Sequence, residues 1–143
     1  MKKEKIIKNL QEIINEEFDK FLRVKFGDDT YSIAITKDQV PQVLDVNFAN
    51  NTLTIEIKSD MNFQYDNELV KIISNKNGNV IKYIISNFAD IRGQNPMHKL
   101  AKEISNEHSD DNRKIISNNK QSRILNAIEK FLNIDNNIEN YAL

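Results

Sequence analysis

Apolar residues near the start of the chain recur every three or four positions: Ile6, Leu10, Ile13, Ile14, Phe18, Phe21 and Leu22. That spacing puts one stripe on a long helix over residues 3–25, ended by Gly27, Asp28 and Asp29. The period then changes to two. Tyr31, Ile33 and Ile35 alternate with polar or small neighbours in TYSIAITK, which predicts a half-buried strand, and Pro41 punctuates the loop after it. Leu44, Val46 and Phe48 alternate again, as do Leu53, Ile55 and Ile57, with Ala49, Asn50 and Asn51 between them. A tight turn there sets Leu44 opposite Ile57, Val46 opposite Ile55 and Phe48 opposite Leu53. All three pairs share one face, and a shared apolar face is what fixes a register. Helical spacing returns in Leu69, Val70, Ile72 and Ile73. With Asp66 as cap and Gly78 as stop, it predicts a helix over 66–77. VIKYIIS, residues 80–86, reads as a last strand.

Beyond NFADIRGQNP the character changes. Residues 97–107 and 120–133 predict helices, the second with a stripe of Ile124, Leu125, Ile128, Phe131 and Leu132. The polar stretch between them is loop-like or weakly helical, and the tail NIDNNIENYAL is expected to fray. The expected fold class is therefore α+β. An αβββαβ core over 1–88 has an antiparallel sheet covered on one face by the helices at 3–25 and 66–77. A connecting loop at 89–96 leads to a C-terminal helical arm over 97–143. Helix 120–133 should dock through Ile124, Ile128 and Phe131, on the core or on a second copy as a homodimer contact.

Composition narrows the function classes. With 39% hydrophobic residues in 143, the chain can bury a core of one ordinary domain. Net charge is −1, from 20 basic and 21 acidic residues, so the molecule as a whole does not attract polyanions. Cysteine is absent, which excludes disulfides, thiolate metal sites and cysteine catalysis. Glycine-rich phosphate loops, G-x-S-x-G and a Ser-His-Asp pattern are absent too. MKKEKIIKNLQEII has no continuous apolar stretch of a signal peptide, and no run approaches the roughly 18 apolar residues of a membrane span. The expectation is a cytoplasmic protein. The chain holds 21 Asn and 21 Ile, the mark of an AT-rich genome, and IISN recurs at offsets of 12 and 31, too irregular for a structural repeat.

Candidate chemistry centres on Asp45, Glu56 and Lys58. The hairpin register makes Asp45 and Glu56 cross-strand neighbours, with Lys58 further along the same face. Two like charges so placed destabilise a strand pair unless solvent, a lysine or a metal offsets them. The trio resembles the acid and E-x-K of the PD-(D/E)xK nucleases, which implies Mg²⁺ held by the acids and a lysine positioning water. Leu44 stands where that family has proline. A solvated hairpin face is the favoured reading, so no enzyme activity, catalytic residue, cofactor or metal is assigned. His98 and His108 are too far apart along a helix to share a face closely. Basic residues offer a contact surface at Lys58, Lys71, Lys82 and Arg92, with Phe63 and Tyr65 beside them. Exposed rings there would stack on bases at about 1–3 kcal/mol each, although the same rings also suit a core. A protein partner is expected, with at most weak, salt-sensitive binding of single-stranded nucleic acid.

NNTLTIEIKSDMNFQYDNELVKIISNKNGNVIKYIIS, residues 50–86, resembles the KH-like core of the DciA family of helicase loaders. The shared order is a strand, TLTIEIKS, then a helix with ELVKII, a turn at NKNG and a closing strand. It is also similar to the N-terminal domain of the initiator DnaA. The tryptophan and glycine that precede the first strand in that family are missing. The resemblance implies a non-enzymatic adaptor that contacts a helicase or initiator near DNA replication, and single-stranded DNA. A small phage- or plasmid-type inhibitor, an immunity protein or a secretion chaperone fits the same size and class.

Overall fold

A computed structural model describes residues 2–18, 21–59, 61, 63–75 and 77–134. The tail expected to fray lies outside the described residues from 135 onward. The fold is α+β, with two antiparallel sheets, helices against them and a long C-terminal helix. Helix α1, Lys2–Glu17, buries Ile6, Leu10 and Ile14, the first three members of the predicted stripe that the structure places inside. The helix stops short of the expected residue 25. FLRVKF has a period of two as well, and Phe21–Phe26 becomes β1, with Leu22 and Val24 inward and Phe21, Arg23 and Lys25 outward. Gly27 therefore closes a hairpin rather than a helix. Its φ of 63°, followed by Asp28 without a positive φ, is the pattern of a type II′ turn into β2, Asp29–Ala34.

A short 3-10 turn, Lys37–Gln39, leads to the five-stranded sheet. Its strands are β3 (Gln42–Ala49), β4 (Thr52–Lys58), β5 (Tyr65–Asp66), β6 (Val70–Asn75) and β7 (Val80–Ile85), in the order β3-β4-β7-β6-β5. Val46 opposes Ile55 and Phe48 opposes Leu53, as the alternation predicts. Asn50 and Asn51 both take positive φ, which a type I′ hairpin requires and Asn tolerates. One pair departs. A bulge between Val43 and Asp45 brings Val43, not Leu44, opposite Ile57 and leaves Leu44 42% exposed.

The helix expected over 66–77 is instead β5, a turn and β6. Its apolar residues fit either period, but Val70 and Ile72 are buried while Ile73 is exposed, which is strand alternation. Asn67 decides the local geometry. Its Oδ1 accepts the N–H groups of Leu69 at 2.8 Å and Val70 at 2.7 Å, and its own N–H bonds to Val70 O at 3.0 Å, closing a turn. The strand–helix–strand order on which the KH-like resemblance rests is therefore absent.

Residues 88–94 form two short helical turns, α2 (Phe88–Ile91) and a 3-10 turn, Arg92–Gln94. Helices α3, Pro96–Ser105, and α4, Asn112–Ile134, follow, so the polar stretch before residue 120 is mostly helical too. One face of the large sheet is buried through Leu53, Ile55, Ile57, Ile81, Tyr83 and Ile85. The cover comes from α1 with α3 and α4, and all contribute to one hydrophobic core. Ile124, Ile128 and Phe131 are at most 1% exposed, which removes them as a dimer contact. Arg123 clamps the ends together, its guanidinium donating to the carbonyls of Glu17 and Phe21.

Candidate functional site

Between β4 and β5 the chain leaves the sheet. Ser59 N–H bonds to Asn79 O at 2.7 Å, and Ser74 Oγ donates to Met61 O at 3.3 Å, which pins this stretch beside β6. With β5 only two residues long, Met61, Phe63 and Tyr65 face the α3–α4 connection across an open groove of about 1120 Å³. Ile104 of α3 and Ile116 of α4 complete its apolar lining. The rim is polar and largely self-paired. Lys114 Nζ lies 2.7 Å from Glu107 Oε1, Tyr65 OH donates to Glu103 at 3.5 Å, and Asp111 accepts the Arg113 N–H at 3.0 Å to cap α4.

The groove gathers two of the six expected contact residues, Phe63 and Tyr65, both half-buried. Lys58, Lys71 and Lys82 lie exposed on the opposite, outer face of the sheet, and the side chain of Arg92 is outside the described residues. Asp45 and Glu56 are cross-strand neighbours, as the register predicts. Each has its own lysine: Lys3 at 2.9 Å from Asp45, and Lys82 at 3.4 Å from Glu56. Lysines from two other elements thus offset the like-charge pair. Among the described residues no group of three or more His, Cys, Asp or Glu could hold a metal ion.

Two polar sites inside the protein went unread in the sequence. Glu129 of α4, 5% exposed, accepts the N–H groups of Met97 at 3.1 Å and His98 at 3.4 Å, so a carboxylate from another helix caps α3. Burial pushes its carboxyl above the usual range, against those two bonds and the His98 charge. Gln121 donates to the Tyr83 hydroxyl at 2.8 Å, and both are fully buried. Burial raises the Tyr83 phenol far above its ordinary value. The available signal was polarity on an apolar face: Asn118, Gln121 and Ser122 precede Leu125 at helical spacing, and Glu129 sits between Leu125 and Leu132.

Fold and groove define a small α+β domain with an open, apolar-lined groove. Residues 39–142, well over half the chain, match the model of the family RcpB, described as Rough colony protein B, tight adherence - tad - subunit, and the chain belongs to that family. No curated protein and no solved structure matches it. Membership overturns the resemblance to helicase loaders and to the initiator domain, and with it the reading as a replication-associated or nucleic-acid-binding adaptor. The inhibitor, immunity-protein, secretion-chaperone and nuclease alternatives fall on the same finding. A subunit family has protein partners, and among the described residues no helix is long and apolar enough to cross a membrane.

Proposed function

We propose that the chain is a non-enzymatic subunit of a tight-adherence apparatus and works by contact with other proteins of that apparatus. The family match carries this reading, because it spans the five-stranded sheet, α2 to α4 and the whole groove. The groove is the proposed contact. Three acidic residues, Glu103, Glu107 and Asp111, and three basic ones, Arg113, Lys114 and Lys120, balance around its apolar lining. That balance suits an uncharged, apolar segment of a neighbouring subunit and disfavours a strongly charged one. Phe63 and Ile116 are half-buried there and have ring and methyl surface left to cover.

Co-isolation of a tagged chain from its native host, with bound proteins identified by mass spectrometry, tests the proposal. Other tight-adherence components should be enriched with the wild-type chain and depleted with Phe63→Asp. Recovery of the wild-type chain without any such component would overturn it. The cytoplasmic expectation is carried into the proposal and is tested by fractionating the same cells. Recovery with the envelope would overturn that part alone.

A further inference from the structure

The hairpin of β1 and β2 leaves one strand edge unprotected. Among the described residues β2 pairs only with β1, and five of its six residues are exposed. Edge strands are ordinarily blunted by lysine, proline, a bulge or brevity. The two edges of the large sheet show such devices. At β3 there is the bulge at Leu44, and the Gln11 side chain bonds Val43 N–H at 2.7 Å and Pro41 O at 3.0 Å. At the other edge β5 has only two residues. Strand β2, DTYSIA, has none of these.

Its geometry says which groups are free. The turn at Gly27 and Asp28 is flanked by the pair Phe26 and Asp29. In a two-residue hairpin that flanking pair is hydrogen-bonded, and bonded pairs then alternate along the ladder. Tyr31 with Val24 and Ile33 with Leu22 are thus bonded to β1, whereas the N–H and C=O groups of Thr30, Ser32 and Ala34 point away from it. The covering is incomplete on the side-chain level too. Leu22 and Val24 are 1% exposed, while Tyr31, on the same face one strand further out, is 50% exposed.

We infer that β2 pairs antiparallel with β2 of a second copy of this chain, about a two-fold axis through Ser32. Only registers that bring outward-pointing residues together form a bonded ladder, and a shift of one residue opposes free groups to used ones. With Ser32 opposite Ser32, Thr30 meets Ala34 and every free group of the strand has a partner. The same register sets Tyr31 against Ile33 of the other copy, twice, on the face where α4 ends its cover. Aromatic and β-branched side chains make favourable cross-strand pairs. Asp29 falls opposite Ile35, so no carboxylates oppose each other. A self-complementary patch of this kind closes as a dimer. The hairpin precedes the residues matched to the family, so this inference stands independently of the adherence reading.

The chain has no cysteine, which makes the register directly testable. Directly opposed residues in such a pair have Cα atoms about 5.5 Å apart, within reach of a disulfide. Full-length Ser32→Cys, treated with oxidised glutathione, should form a covalent dimer an order of magnitude faster than Thr30→Cys, whose thiols would lie too far apart along the strand. Sedimentation of the wild-type chain should show a concentration-dependent dimer. Ser32→Pro, which deletes an N–H that β1 does not use, should abolish it while the circular dichroism stays native. A chain that remains monomeric at high concentration, equal cross-linking of the two cysteine variants, or a dimer indifferent to Ser32→Pro in a folded chain would each overturn the inference.

Discussion

Replacing Tyr83 with Phe isolates a fully buried side-chain hydrogen bond between the sheet and α4. The phenol accepts from Gln121 Nε2 at 2.8 Å, and Gln121 Oε1 has no hydrogen-bond partner among the described residues. Both residues are 0% exposed, so water does not replace a lost partner readily. Tyr83→Phe removes a bond with a net value of about 1 kcal/mol and strands a buried amide, whose desolvation costs about 1–3 kcal/mol. The sum predicted is about 2–4 kcal/mol, out of a total stability on the order of 10 kcal/mol. For a chain near this size the corresponding fall in Tm is about 2–4 °C per kcal/mol. Gln121→Leu strands the hydroxyl in the same way. The double variant removes both polar groups and should lose about 1–3 kcal/mol less than the sum of the two singles in a double-mutant cycle. Urea unfolding of the four proteins is the assay. A neutral Tyr83→Phe, or a double variant as unstable as the sum of the singles, would show that the two buried groups do not depend on each other.

Glu129→Gln keeps an acceptor for the Met97 and His98 N–H groups and removes the titration. A carboxyl whose folded pKa lies above its ordinary value of 4.5 stabilises the fold below that value and withdraws the contribution as pH rises through the folded pKa. The variant should therefore gain on wild type in urea unfolding from acid to neutral pH, and a loss over that range would contradict the burial argument. Arg123→Ala should cost about 1–3 kcal/mol by freeing the Glu17 and Phe21 carbonyls, whereas Lys130→Ala, at an exposed ion pair with Glu17, should cost under about 1 kcal/mol. Leu44→Ala should change stability by no more than about 0.5 kcal/mol, against about 2–5 kcal/mol for Ile57→Ala; equal losses would restore the register without the bulge. Asp45→Asn removes both a repulsion and an ion pair, so the unfolding free energy from denaturant titration should change by less than about 0.5 kcal/mol.

The sequence exposed the β3–β4 hairpin because its alternation, turn and burial agree. It failed where one pattern served two periods. IISN shows why: residues 72–75 end β6, residues 84–87 leave β7 through a left-handed Asn87, and residues 115–118 lie within α4. The neighbouring elements, not the tetrapeptide, decide its state. In DNELVKIISN the deciding residue was Asn67, whose side chain closes a turn that apolar spacing does not reveal. The abundance of asparagine read as codon bias, yet Asn50, Asn51, Asn79, Asn87 and Asn95 all hold positive φ at turns and helix boundaries. At the groove, Phe63 and Tyr65 were legible as rings between elements. Ile104, Ile116 and the Glu107–Lys114 pair were not, because only the packing of α3 on α4 brings them to β5. Of the expected basic residues, Lys58, Lys71 and Lys82 share the outer face of the sheet, away from the groove, and Lys82 pairs there with Glu56.

Whether the chain serves tight adherence through protein contacts is tested by deleting its gene in the native host and measuring surface attachment quantitatively. Attachment should be lost, the wild-type chain supplied in trans should restore it, and a stably folded Phe63→Asp chain should not. Attachment unchanged by the deletion would show that the chain has no part in tight adherence.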